Sequence, residues 1–274
     1  LENQAIVNGN AGFYLNGNEW ELTINLAFQR FPDSFFGVGN RTSIDAEQIF
    51  TTQDFLIQPR LLKKVFKDLR VGIWYDLKRT RVLSIEEKPG GPFDNDHLLG
   101  TDSAFLSGLG SALAWDNRDN IFFPTDGGWY RIENAFYGDR TGSEYTYQYY
   151  SADLRQYISV AQRHILAIQL GVSALRGEVT FNEYLKLGSM RGIYGSRFRD
   201  KNRVMMQLEY RYPIYKRFSG VVFTGAGDVF SSYGDYDMTR IKKFYGLGLR
   251  FRIDPDEKIN LRIDYGRGPY GQNI

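Results

Sequence analysis

Residues 204–212, VMMQLEYRY, alternate between two kinds of side chain at every position. Val204, Met206, Leu208, Tyr210 and Tyr212 share one face, while Met205, Gln207, Glu209 and Arg211 share the other. A strict period of two is typical of a β-strand whose faces meet different surroundings. This stretch therefore predicts a strand, and the character of its faces indicates the kind of sheet to which it belongs.

The same alternation recurs at residues 20–29, 69–78, 245–253 and 259–265. In each stretch one face is dense in Leu, Ile and aromatic residues, whereas the other carries Gly, Asn, Gln and charged residues. A membrane β-barrel shows this pattern, because its outer face meets lipid and its inner face lines the lumen. A large soluble β-protein is the alternative, since alternation by itself also fits a sandwich. No stretch has a convincing helical stripe.

The lengths of the connections favour the membrane barrel. Short turns are predicted at residues 32–34, 67–68, 124–127, 161–163, 216–218 and 254–257, and longer connections at residues 40–49, 79–103, 138–144, 177–202 and 231–243. Outer-membrane barrels have short periplasmic turns and long external loops. The hairpin at residues 16–18 breaks this order, because it is short where a long loop is expected.

We count about thirteen strands, including a short one at residues 36–40. Bacterial barrels close with an even number of antiparallel strands, and lipid does not tolerate unpaired strand edges. An odd number therefore predicts that these residues alone leave a gap, between the strand near residues 5–15 and the strand near residues 259–266.

Composition excludes several classes of protein. The chain is 42% hydrophobic and 16% aromatic, values too high for a disordered chain, and it has no run of about 18 apolar residues that could form a membrane helix. The net charge of +2 gives no sign of nucleic-acid binding. Because there is no Cys, disulfides, thiolate metal sites and a Cys nucleophile are excluded.

The chain carries little that indicates catalysis. It has two histidines, His97 and His164, and neither has a partner at metal-ligand spacing. Neither the G-x-S-x-G motif nor a Walker loop is present. We therefore predict no catalytic residue, no metal site and no cofactor, and the chain is not expected to be an enzyme.

Residues 187–200, LGSMRGIYGSRFRD, contain Arg191 and Gly192 followed by the pair Tyr194 and Gly195. This segment resembles the signature loop of the BamA/TamA superfamily of outer-membrane barrels, the bacterial surface antigen family. Four further segments resemble the same family in order along the chain, namely residues 31–40, 115–127, 207–213 and 245–251. The early segment is similar to that of small members with few or no POTRA domains.

The resemblance implies that residues 1–274 form a single outer-membrane β-barrel domain. The family barrel has sixteen strands, with the signature loop between the eleventh and the twelfth. About nine strands precede the loop here and about four follow it. Against the family pattern, two N-terminal strands and the last C-terminal strand would be missing.

The resemblance also implies a location and partners. We expect the bacterial outer membrane, contact with its lipid, and partners among other outer-membrane or periplasmic proteins. Assembly or translocation of outer-membrane proteins is the first functional interpretation. A gated pore or a lipid or solute channel plugged by the signature loop, and a structural barrel that anchors other proteins, remain as alternatives, because a fold does not determine a function.

Within the signature loop, the resemblance places Arg191 in the lumen, against the strands that follow. Family members that insert proteins pair this arginine with two acidic residues, of which one position matches Glu209 and the other corresponds to Gly225. We predict that the loop folds inward and that Arg191 binds Glu209 with its planar fork. Tyr194, as an aromatic residue, is expected to be buried.

Overall fold

The computed structural model describes residues 4–94, 97–188, 190–269 and 271–273. The strands are β1 Ala5–Leu15, β2 Trp20–Phe35, β3 Gln48–Lys64, β4 Leu69–Ile85, β5 Ser103–Asp116, β6 Gly127–Tyr137, β7 Tyr147–Ala161, β8 His164–Gly177, β9 Leu185–Lys186, β10 Arg199–Asp200, β11 Asn202–Tyr215, β12 Phe218–Phe230, β13 Lys242–Asp254, β14 Ile259–Gly268 and β15 Gly271–Asn273. Single turns of 3-10 helix lie at Ile44–Ala46, Pro92–Asp94, Asp139–Thr141, Phe181–Glu183, Tyr233–Asp235 and Met238–Arg240. None of the helical turns in the described residues is long and apolar enough to cross a membrane.

Thirteen of these strands form one antiparallel sheet, in the order β1 to β8 followed by β11 to β15. The remaining two, β9 and β10, pair with each other inside the connection of residues 178–201. Contacts between distant parts of the chain show that the sheet is curled. Asn40 donates to Asp228 at 2.9 Å, and Lys258 lies 2.9 Å from Asp119. The curled sheet therefore encloses a lumen.

The apolar face of the sheet points outward, as the alternation predicted. Leu249 is 41% exposed and Ile263 is 60% exposed, although both are large aliphatic residues. On the inner face of the same region, Met205 and Val221 are buried. An outward apolar surface of this extent is suited to lipid and not to water.

The prediction for residues 31–40 is wrong. Instead of a turn at residues 32–34 and a separate strand at residues 36–40, β2 continues without interruption to Phe35. Pro32 suggested a turn, because proline cannot donate to a sheet. In the structure Pro32 lies beyond the last β1–β2 pair of the described residues, Ala5 with Arg30, and on its other side it faces Thr51 of β3. Residues 36–40 belong to the following loop, in which Gly39 forms an isolated bridge with Arg199.

With this change the shorter connections lie at one end of the sheet, although residues 117–126 at that end form a ten-residue connection where a short turn at residues 124–127 was predicted. One end of the sheet has residues 16–19, 65–68, 117–126, 162–163, 216–217 and 255–258, and the other end has residues 36–47, 86–102, 138–146, 178–201 and 231–241. The hairpin near Gly17 now lies at the end with the shorter turns. The long strands also extend further than predicted, because β4 continues to Ile85.

Eight strands of the large sheet precede the 178–201 connection and five follow it, where about nine and about four were expected. The additional strand, β15, pairs with β14 over three residues. Its sequence, Gly-Gln-Asn, lacks an apolar face, and so alternation could not reveal it. Among the described residues, β1 has β2 as its hydrogen-bonded neighbour and no pairing joins β1 to β14 or β15.

Candidate functional site: the lumenal loop

The connection between β8 and β11, residues 178–201, folds into the lumen, and we call it the lumenal loop. Leu187, Met190 and Ile193 of this loop are almost fully buried. They form one apolar cluster with Met205 on β11 and with inward side chains of β12 and β13, among them Phe223. Burial of apolar surface therefore holds the loop against the inner wall, and the charged groups described next fix its position.

Arg191 is bound between two carboxylates on different strands. Its Nη1 atom lies 2.6 Å from Oε2 of Glu209 on β11 and 3.3 Å from Oδ2 of Asp264 on β14. The guanidinium carbon stands 3.8 Å from the centre of the Phe223 ring. One terminal nitrogen thus serves both acids while the plane of the group lies against an aromatic face, an arrangement that a lysine cannot reproduce.

The two carboxylates belong to a larger group of paired charges on the lumenal wall. Arg211 Nε lies 2.6 Å from Oε1 of Glu209, and Arg250 binds Asp264 through both of its terminal nitrogens. Three guanidinium groups therefore surround two carboxylates. Attraction between opposite charges is stronger where little water reaches them. Removal of one partner leaves the other charge partly buried and unpaired, which lowers the stability of the folded state.

Glycine allows the lumenal loop to approach the backbone of β14. Gly192 has φ +88°, a conformation that side chains other than glycine rarely adopt. A Cβ atom built on Gly192 would lie 2.9 Å from the backbone nitrogen of Arg267, and one built on Gly268 would lie 2.1 Å from the carbonyl oxygen of Gly192. The two backbones are therefore in direct contact, and neither position has room for a side chain.

The other two residues of the predicted motif have different surroundings. Tyr194 is 46% exposed and meets the edge of the Phe36 ring, so the expectation that it is buried is wrong. The loop buries the side chains of Arg197 and Phe198 instead. Gly195 lies beside Gly188, where a Cβ atom would come within 2.5 Å of the Gly195 Cα. These two glycines let the loop fold back on itself.

A second attachment holds the far end of the lumenal loop to β2. Asp33 accepts hydrogen bonds from Lys186 Nζ at 2.9 Å, from Arg199 at 3.4 Å and from the Ser196 hydroxyl. Arg199 is fully buried and also donates to the carbonyl oxygen of Ser34 at 2.8 Å. The loop thus reaches from β14 at one side of the sheet to β2 at the other.

Sequence reasoning missed both Asp264 and Asp33 as partners of the loop. Gly225, the position that corresponds to the second acid of related insertases, is closed to any side chain, because a Cβ there would lie 2.4 Å from Phe244. Asp264 provides a second carboxylate from β14. Its place on the inner face followed from alternation, but its distance from Arg191 did not. Asp33 was assigned to a turn because of Pro32, so its place on β2 beside the lumenal loop was not predicted.

A polar cavity of about 410 Å³ lies beside Arg191 in the lumen. Its wall includes Glu209 and Gln207 together with Arg155, Arg211, Arg250 and Arg262. The described residues contain no group of three or more His, Cys, Asp or Glu side chains placed to hold a metal ion. The arrangement provides charge, hydrogen-bond donors and space for small polar molecules.

A family model for the Omp85 superfamily domain matches residues 8–267, almost the whole chain. The chain belongs to the Omp85 superfamily. This membership and the curled sheet described above confirm the transmembrane antiparallel β-barrel fold that alternation predicted. They also confirm the resemblance to BamA/TamA-type barrels.

A solved structure supports the same fold. The chain is similar to BamA from Haemophilus ducreyi lacking POTRA domains 1–3, with a TM-score of 0.67 and 16% sequence identity. The match covers 99% of this chain and 60% of that one, so the chain spans less than two thirds of its structural relative. At this identity the likeness shows the Omp85 barrel fold alone. No curated protein matches the chain.

Proposed function

We propose that this Omp85 barrel acts in the bacterial outer membrane, in the assembly or translocation of other outer-membrane proteins. Its partners would be outer-membrane lipid and outer-membrane or periplasmic proteins. The proposed role requires binding and movement of strands and no catalytic step. It rests on the Omp85 barrel fold and on one feature of the lumen.

That feature is the double attachment of the lumenal loop. Arg191 holds one part of the loop to β11 and β14, and Asp33 holds another part to β2. Any separation of β14 from β2 must therefore strain or break one of the two attachments. A barrel that opens along its wall to accept a client needs such a coupling, whereas a passive pore has no use for it.

A gated pore remains the second candidate, and the polar cavity favours it. The cavity beside Arg191 has a volume of about 410 Å³ and a wall rich in arginine. Release of the lumenal loop would join this space to the rest of the lumen. A pore of this kind would prefer anions, because the fixed charges on its wall are mostly positive.

The test of the proposal is client folding in vesicles. The protein is reconstituted in phosphatidylcholine vesicles, and a urea-unfolded eight-stranded outer-membrane barrel is added. Folding of the client is followed by the shift in gel mobility between unheated and heated samples. We expect faster folding than in empty vesicles, and slower folding with Arg191→Ala than with wild type.

Arg140→Ala serves as the control, because Arg140 is exposed on the 138–146 loop, outside the lumenal site. It should behave like wild type. If folded wild-type protein does not accelerate client folding, the assembly role is wrong. Conductance across a planar bilayer by the same preparation, without a partner protein, would then favour the pore.

A further inference from the structure

A second cavity, of about 280 Å³, lies at the end of the lumen that carries the short turns. Four cationic side chains line it, each from a different element: Arg163 from the β7–β8 turn, Arg211 from β11, Arg252 from β13 and Lys258 from the β13–β14 turn. The part of its lining that the structure describes contains no acidic residue. We call this cavity the basic pocket.

Two of these cations are already neutralised. Arg211 Nε binds Glu209 at 2.6 Å, and Lys258 Nζ binds Asp119 at 2.9 Å. Asp119 also accepts a hydrogen bond from the Thr125 hydroxyl at 2.6 Å and is therefore well supplied with donors. Glu209 is also shared with Arg191, and Asp119 accepts hydrogen bonds from the backbone amides of Thr125 and Asp126 as well.

Arg163 and Arg252 differ from them, since neither forms an ion pair with a carboxylate in the described residues. Arg163 donates from Nη2 to the carbonyl oxygen of Lys216 at 3.0 Å. Like charges gathered in one pocket repel one another. A bound anion would remove that repulsion.

Aromatic and backbone contacts hold the Arg211 and Arg252 guanidinium groups in place, whereas Arg163 lies on the exposed β7–β8 turn. The guanidinium carbon of Arg211 lies 4.6 Å from the centre of the Phe123 ring, and the guanidinium carbon of Arg252 lies 5.8 Å from the same centre. Arg211 Nη1 also donates to the carbonyl oxygen of Pro124 at 3.0 Å. The hydroxyls of Ser159 and Ser219 add neutral donors to the same wall. Fixed cationic forks with nearby hydroxyls match the oxygens of a phosphate group.

We propose that the basic pocket binds a phosphate-type oxyanion, with Arg163 and Arg252 as its charged ligands. The pocket is far larger than a single water, which occupies about 30 Å³ of liquid, and so it has room for a phosphate group and part of an attached organic group. It shares Phe123 and Arg211 with the cavity beside Arg191, and a bound anion would therefore lie next to the lumenal site. This inference is independent of the assembly role.

The experiment compares two sources of the phosphate group. The full chain is folded into phosphatidylcholine vesicles, and its Tm is read from the loss of the folded band on gels, in inorganic phosphate and in chloride at equal ionic strength. A second series uses vesicles that contain phosphatidylglycerol, without phosphate in the buffer. A ligand that binds the folded state raises the Tm.

We expect inorganic phosphate, phosphatidylglycerol or both to raise the Tm of wild type. Arg163→Gln combined with Arg252→Gln should abolish the rise, and Arg140→Gln, on an exposed loop at the other end, should keep it. A rise with inorganic phosphate in phosphatidylcholine identifies a free anion. A rise only with phosphatidylglycerol, lost in the double variant, identifies the lipid headgroup.

If the double variant does not fold, Arg163→Lys with Arg252→Lys replaces it. Lysine keeps the charge and loses the planar fork, so the apparent affinity for phosphate should fall about tenfold. The proposal is overturned if neither source raises the Tm of wild type. It is equally overturned if the folded double variant keeps the full rise, or if the lysine variant binds as tightly as wild type.

Discussion

The Nη1 atom of Arg191 lies 2.6 Å from Oε2 of Glu209 while the same atom lies 3.3 Å from Oδ2 of Asp264. Glu209 belongs to β11 and Asp264 to β14, so one nitrogen of the lumenal loop joins two strands that are separated in the sheet by β12 and β13. The sequence predicted a pair of Arg191 and Glu209, whereas the structure has a contact of three residues that includes Asp264. The loop is therefore tied to β14 as well as to β11, the strand that follows it.

Arg191→Ala should destabilise the barrel by about 1–3 kcal/mol, because Glu209 and Asp264 would lose a shared cation in a partly buried site. Arg191→Lys should restore only part of the loss, since an ammonium group cannot lie flat against Phe223 while it bridges two carboxylates. The measurement is urea unfolding in vesicles, followed by gel mobility. Full rescue by lysine would show that charge alone matters.

Gly268→Ala should displace the lumenal loop from β14. The added Cβ would lie 2.1 Å from the carbonyl oxygen of Gly192, and backbone atoms cannot move aside as a flexible side chain can. We expect increased protease cleavage within residues 178–201 of the folded protein. Gly234→Ala is the matched control, because a Cβ there has its nearest neighbour at 3.8 Å. Equal cleavage of the two variants would contradict the contact.

Leu249→Asp should impair folding into vesicles, since Leu249 is 41% exposed on the apolar outer face and a charge at that face costs up to a few kcal/mol near the midplane. Asn260→Asp is the control, because Asn260 faces the arginine-rich cavity. Gly248 is unsuitable as a control, as a Cβ there would lie 2.0 Å from Oδ1 of Asp264. Equal folding yields for the two aspartate variants would contradict the orientation of the sheet.

The stability of the turn at residues 117–126 should depend on pH, because the Asp119 carboxylate accepts hydrogen bonds within it. Burial raises the pKa of this carboxyl, but hydrogen bonds from Thr125, Lys258 and two backbone amides outweigh it and hold the pKa below its usual value. The ionised Asp119 carboxylate therefore stabilises the turn fully above the pKa that this carboxyl has in the unfolded chain, about 3.9. The stabilisation is lost as pH falls through the lower pKa of the same carboxyl in the folded state.

Hydrogen exchange of residues 117–126 measures this dependence. Wild type should be protected at neutral pH and should lose protection in strong acid, after correction for the intrinsic exchange rate. Asp119→Asn should exchange faster at neutral pH and show little further change on acidification. A wild-type turn whose protection does not change with pH would show that Asp119 does not organise it.

The sequence allowed the strands to be predicted wherever both faces of a strand have distinct surroundings, as at residues 204–212. It failed at Pro32, where the local preference of proline for turns was overridden by the pairing of β2 with β3, in which Pro32 lies opposite Thr51. It also failed at β15, whose Gly-Gln-Asn sequence has no apolar face to alternate.

The candidate site was predicted only in part, because some partners of the lumenal loop lie on distant strands. Glu209 lies on the lumenal face of the strand next to the loop and matches an acidic position of the family, so its pairing with Arg191 was predicted from the resemblance together with alternation. Asp264 and Asp33 reach the loop because the sheet curls, and curvature is set by many strands together and not by any local pattern. At Gly225, where the family pattern has a second acidic residue, the Phe244 ring fills the space that an acidic side chain would need.

The lumenal loop lies inside the barrel and reaches from β14 to β2. Because the chain has no native Cys, a crosslink between Ser196→Cys and Asp33→Cys tests whether the lumenal loop lies against β2. Asp33→Cys removes the carboxylate, so this pair reports the position of the loop and not the strength of the ion pairs. The Ser196 hydroxyl and the Asp33 carboxylate are in hydrogen-bond contact, so a small movement of the loop would bring thiols at these two positions to bonding distance.

The measurement is disulfide formation in the folded protein in vesicles, with a mild oxidant, read on a non-reducing gel against the two single-Cys variants. We predict a crosslinked band of altered mobility in the double variant, reversed by reductant and absent from both single variants. Free thiols at both positions of the folded double variant, after oxidation, would contradict the placement of the lumenal loop against β2.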